Sequence, residues 1–121
     1  MQRTRQRLTR AHRLLRPQEY AAAMKGGPKS RDECFNAFAH ANALNHGRIG
    51  LAVSRRVSLK AVVRNRIKRQ VRESFRQHQA LLAGLDVVVV AQARAAAVPR
   101  ALIGLSLRTH WEHIAHRCKK S

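Results

Sequence analysis

The chain has 121 residues, enough for one domain around a single core, and carries 25 Lys and Arg against six Asp and Glu, a formal net charge of +19. That excess opposes compaction by self-repulsion and calls for a polyanionic partner, with nucleic acid the natural candidate because phosphate contacts release counterions. The apolar runs, such as Val87 to Ala91, are far too short to span a bilayer, no apolar signal region follows the Arg-rich start, and Cys34 and Cys118 form no CxxC pair; a cytoplasmic protein with reduced thiols and no membrane contact is expected.

In chain order, residues 1–13 read as a flexible basic arm that holds Arg3, Arg5, Arg7, Arg10 and Arg13 and no acid. A single domain then occupies residues 14–121. Pro17 suits the first turn of a helix that runs to Lys25, where Gly26-Gly27-Pro28 stops it. Tyr20 and Met24, four apart, share a face of this helix. From Glu33 to Asn42 a strand sets Phe35, Ala37 and Ala39 against Asn36, Phe38 and His40. A second strand, Arg48 to Arg56, turns Ile49, Leu51 and Val53 to a core. Its other face carries Gly50, Ala52, Ser54 and Arg56, which is small, then polar, then positive. Such a face leaves room for an approaching group, and close backbone packing at Gly50 is the other reading.

The segment from Lys60 to Arg76 holds seven basic residues and one acid, Glu73. It also has apolar residues at Val63, Ile67, Val71 and Phe75, a spacing that only a folded helix needs. The helix is expected from about Leu59 to about Ala80. With ~100° per residue, Asn65, Arg69, Arg72 and Arg76 fall opposite Ile67, Lys68 flanks them, and Arg66 lies on the other flank beside Glu73. Pairing of Glu73 with Arg69 or Arg66 would neutralise part of the stripe. Asp86 to Ala91 then reads as a strand buried on both faces, beside and parallel to the Ile49–Val53 strand. Pro99 opens a last helix with the stripe Ile103, Leu107, Trp111 and Ile114.

Catalytic constellations are scarce. The six acids, Glu19, Asp32, Glu33, Glu73, Asp86 and Glu112, form no visible trio for two-metal hydrolysis. His110, His113 and His116 step by three and fan over a ~120° arc, so they are expected on a polar helix face and not in a metal site. No nucleophile setting and no phosphate-cradling glycine loop is present.

The runs Arg48-Ile-Gly-Leu-Ala-Val-Ser-Arg-Arg56, Lys60-Ala-Val-Val-Arg-Asn-Arg-Ile-Lys-Arg69 and Arg72-Glu-Ser-Phe-Arg76 resemble the protein component of bacterial ribonuclease P. The resemblance runs from Leu14 onward. It implies an α/β (α+β) domain of order αβββαβα, with a mostly antiparallel central sheet and a left-handed βαβ crossover. It also implies a subunit of the ribonucleoprotein that removes the 5′ leader from precursor tRNA. There the catalytic RNA does the chemistry, with Mg2+ held mainly by RNA, and the protein needs neither a catalytic residue nor an obligate protein partner. By the same resemblance, Arg64, Asn65, Arg66, Lys68, Arg69, Arg72 and Arg76 meet the RNA subunit. Tyr20, Met24, Phe38, Ser54, Arg55 and Arg56 line a cleft for the single-stranded leader. The chain departs from the family's pattern at Met24, often a second aromatic, and at Arg55 and Arg56, commonly lysines. A structural ribosomal or assembly protein is the alternative that basic charge alone leaves open.

Overall fold

Pro17 has no N–H to leave unsatisfied, so it sits in the first turn of helix α1 (Pro17–Gly26). The Glu19 carboxylate accepts the Leu15 and Arg16 N–H groups at 2.8 and 3.0 Å and closes that end. Gly27 does more than stop the helix. A Cβ there would lie 1.9 Å from the Ala39 carbonyl oxygen, so glycine is what lets the chain pass this close to the sheet.

The computed structural model describes residues 8–120, with side chains through Cys118. After α1 come β1 (Lys29–Arg31), β2 (Phe35–Ala41), β3 (Arg48–Ala52), α2 (Ala61–Gln77), a short α3 (Gln79–Leu82), β4 (Leu85–Ala91), a 3-10 turn over Ala93–Ala96 and α4 (Arg100–Lys120). The four strands lie in the order β1-β2-β4-β3. Only the β3–β4 pair is parallel, and α2 connects it, as the strand–helix–strand pattern requires; the other two pairs are antiparallel. β4 therefore has a neighbour on each side, which accounts for its uniformly apolar residues.

Side-chain alternation splits the sheet into two faces. Phe35, Ala37, Ala39, Ile49, Val87 and Val89 enter the main core with Ile67, Val71 and Phe75 of α2 and Ile103, Leu107, Trp111 and Ile114 of α4. Ser74 shares the buried stripe of α2 because its hydroxyl accepts the Trp111 indole N–H at 2.8 Å. The opposite face holds a smaller cluster of Leu14, Ala23, Phe38 and Val88, capped by α1.

Four expectations are corrected. β1 went unread as a strand, because three residues are too few to show a period. β3 ends at Ala52, so Ser54, Arg55 and Arg56 belong to the turn that follows. The long helix breaks at His78, which leaves helical geometry with φ −116° and ψ 25°, its ring nitrogen 2.7 Å from the Ser74 carbonyl. Finally, part of the expected arm is built into the fold. Arg10–His12 form a 3-10 turn, Arg13 bridges to Ile49, and Leu14 is buried. Arg3, Arg5 and Arg7 lie outside the described residues. No helix among the described residues is long and apolar enough to cross a membrane.

Candidate nucleic-acid interface

The capped face of the sheet is open where α1 stops covering it. In-register pairs put Lys29 with Phe38, Arg31 with Asn36, Asn36 with Val90, and Val90 with Ala52 on this face. The result is a trough with an apolar floor and basic ends. Tyr20 lies across it. A Cβ on Gly50 would sit 2.7 Å from two atoms of the Tyr20 ring, so the group that approaches Gly50 is this phenol, and the space at position 50 is used internally. Phe38 is nearly covered, at 8% exposure, and the Lys29 ammonium stands 5.9 Å from its ring centroid. Of the two expected stacking rings, Tyr20 is the half-buried one and Phe38 mainly supports the floor. Met24 is exposed on the same helix, and Ser54, Arg55 and Arg56 are exposed past the end of β3.

A polar network fixes the angle of α1 at the other end of the trough. Asp86, buried, receives the Arg48 guanidinium through Nε and Nη2, each at 2.7 Å, and the Asn42 amide at 2.9 Å. His40 stands 3.5 Å from the same carboxylate. The remaining Arg48 nitrogen donates to Glu19 of α1 at 3.2 Å. Burial alone would raise the Asp86 pKa, but the Arg48 and Asn42 hydrogen bonds outweigh it and hold the carboxyl below the usual range.

On α2, Asn65, Arg66 and Arg69 are exposed, and Arg64, Lys68, Arg72 and Arg76 are half-buried. Arg64 donates to the Ser58 carbonyl at 2.9 Å, which ties the loop after β3 to the helix. The neutralised arginine is neither Arg69 nor Arg66. Glu73 accepts from Arg76 Nε at 3.0 Å, and also from Gln77 at 3.2 Å, because its side chain turns toward the C-terminal end of the helix. Arg72 is where the two surfaces meet. Its guanidinium pKa is lowered by burial and by the neighbouring Arg13 charge, with the Tyr20 phenol acting in the opposite sense. The α2 stripe and the Tyr20 trough thus share a border lined by Arg13 and Arg72.

The histidine face is also corrected. His110 is buried, its Nδ1 lying 2.7 Å from the Ser30 hydroxyl and its Nε2 3.1 Å from Asp32, the latter at an angle poor for a hydrogen bond. The physical reason is that 103, 107, 110 and 114 form an apolar stripe of their own at steps of four, three and four. Steps of three among the histidines concealed it. His113 and His116 stay exposed. Among the described residues no three His, Cys, Asp or Glu are placed to hold a metal ion.

Comparison with known proteins agrees with this geometry. The family model described as Ribonuclease P matches residues 8–115. This chain belongs to the ribonuclease P protein family. The ribonuclease P protein component of Methylococcus capsulatus is 44% identical over 112 residues, covering 93% of this chain and 88% of that protein. That of Chromobacterium violaceum is 39% identical over 115 residues, covering 95% and 94%. Among solved structures, the Staphylococcus aureus RNase P protein superposes with a TM-score of 0.80 at 28% identity, over 91% of this chain and 100% of that one. The Thermotoga maritima RNase P protein gives 0.75 at 27% identity, over 84% and 96%. Membership makes the chain a ribonuclease P protein component, a subunit type of a tRNA-processing endoribonuclease. Its fold is the one the ribonuclease P resemblance implied, αβββαβα in order with a mostly antiparallel sheet. Lys29, Arg31 and Arg13 are basic residues of this ribonuclease P surface that sequence reasoning left unassigned. Lys29 and Arg31 hide in a strand too short to recognise, and Arg13 was read as part of a free arm.

Proposed function

We propose that the chain docks on the catalytic RNA of ribonuclease P through Arg64, Asn65, Arg66, Lys68, Arg69, Arg72 and Arg76, and holds the single-stranded 5′ leader of precursor tRNA in the trough. Tyr20, Met24 and Phe38 supply the apolar bed for the leader, and Ser54, Arg55 and Arg56 meet its backbone. Stacking on a ring tolerates any base, because every base has a π-face. The arrangement broadens substrate use and leaves cytoplasmic hydrolysis to the RNA. The observation that carries this reading is the shared border at Arg72, where a rigid basic helix adjoins a trough wide enough for an unpaired strand and headed by an aromatic ring.

Mg2+ in the holoenzyme would activate water and offset charge at the scissile phosphate. The acids of this chain do not fit that task. Glu19 and Asp86 engage Arg48, Asp32 accepts from Ser106 and from backbone N–H groups, Glu33 faces Arg94, and Glu73 engages Arg76. The ion belongs with the RNA subunit, and the protein contributes binding and orientation.

Reconstitution with the matching RNA subunit at low magnesium tests the proposal. The protein alone is expected to cut nothing and to stimulate leader removal when the RNA is present; metal-dependent cutting by RNA-free protein would overturn the assignment. Arg69→Ala is expected to weaken RNA assembly and reduce the slope of log affinity against log salt by about one. An unchanged slope would remove Arg69 from the phosphate contacts.

A further inference from the structure

The flank of α2 that faces the 3-10 turn and the start of α4 carries a pocket of about 510 Å³. Arg66 and Arg69 reach it from α2 and Arg100 from the first turn of α4, while Ala95 and Val98 line it with apolar surface and Gln70 and Glu73 contribute polar groups. All three arginines are exposed, and none has a carboxylate hydrogen-bond or ion-pair partner among the described residues. The rest of the chain cannot supply one from a side chain, since all six acids fall within residues 8–118. The carboxylate that lines the pocket, Glu73, is engaged by Arg76 and Gln77 on the helix surface.

Guanidinium groups in such number select a phosphate, which they bind through paired N–H donors. The Ala95 and Val98 surface offers a bed for a flat apolar ring, and the Gln70 amide can both donate to and accept from a base edge. We infer that this pocket binds one extruded nucleotide of the RNA subunit, with its phosphate on Arg66, Arg69 and Arg100 and its base on Ala95 and Val98. The inference rests on the RNA-docking reading above and adds to it a second element, because Arg100 lies outside α2. It also separates Arg66 from the outward stripe and assigns it to this side of the helix. A cavity with an apolar bed distinguishes this ligand from a regular RNA helix, whose stacked bases cannot enter.

The test uses the full chain and the reconstituted holoenzyme. Arg100→Ala is expected to weaken RNA-subunit affinity about tenfold and to lower the salt slope by about one, with Arg108→Ala as a control that does neither. Probing of 2′-hydroxyl reactivity should show an unpaired nucleotide of the RNA subunit protected by the wild-type protein and released by Arg100→Ala, other protections being kept. In NMR titrations of the free protein, adenosine monophosphate should shift the Gln70 side-chain amide and inorganic phosphate should not. Unchanged affinity and protections in Arg100→Ala would overturn the inference, as would an equal response to phosphate and nucleotide, which marks a plain anion site. Binding of an acidic helical peptide in place of the nucleotide would also overturn it. Failure of the docking reading itself looks different: the wild-type protein would then not bind the RNA subunit.

Discussion

Asp86→Ala is expected to lower the folding stability by about 3 kcal/mol, because removing one partner of a buried ion pair strands the other. The low end of the usual range applies, since the Arg48 side chain keeps 23% of its surface exposed. Chemical denaturation measures it, and a loss below ~1 kcal/mol would show that Arg48 finds full compensation in Glu19 and water. The same residue sets a pH dependence. The folded-state carboxyl titrates below its unfolded value, held there by Arg48 and Asn42 against the opposing effect of burial. Its contribution is therefore complete above about pH 4 and is lost as pH falls through the folded-state titration. The Asp86→Ala protein should have a flatter acid limb than the wild type, and matching limbs would remove Asp86 as a source of acid sensitivity. Since Arg48 also holds Glu19, the substitution should loosen α1 and reduce precursor binding more than RNA-subunit assembly.

Tyr20→Ala combined with Phe38→Leu is expected to reduce affinity for leader-bearing tRNA by roughly 1–3 kcal/mol and to leave mature tRNA almost unchanged. Leucine is the better choice at Phe38, because truncating a buried Phe to Ala costs about 3–5 kcal/mol of stability and would confuse unfolding with lost stacking. Binding titrations with matched leader-bearing and leader-free tRNA decide it; equal losses for the two would place the leader elsewhere.

The helices and their faces were legible because their cores are periodic. Ile67, Val71 and Phe75 on α2, and Ile103, Leu107, Trp111 and Ile114 on α4, repeat at helical spacing and are all buried. β4 was legible from its valine run. What stayed hidden depends on contacts distant in sequence. Nothing near Asp86 announces Arg48, 38 residues earlier in the chain. Nothing near Gly50 announces Tyr20, which enters only once α1 has docked across the sheet. The Glu73 partner was misread because helical spacing allows several bases within reach, and rotamer direction chooses among them. For the interface, residue types and their helix were legible, while the shared border at Arg72 and the arginine convergence with Arg100 needed three dimensions.

The engagement of the acids inside the fold has a consequence for how the subunit exists in the cell. Glu19, Glu33, Glu73 and Asp86 all lie against arginines of the same chain, so folding consumes most of the molecule's own counterions and leaves its remaining cations facing outward. No internal rearrangement can quench that charge without breaking the fold. Each copy made without its RNA is a ligand for whatever other RNA is at hand. Its synthesis must then keep step with that of its partner, and stoichiometry, more than affinity, would govern how much of it works.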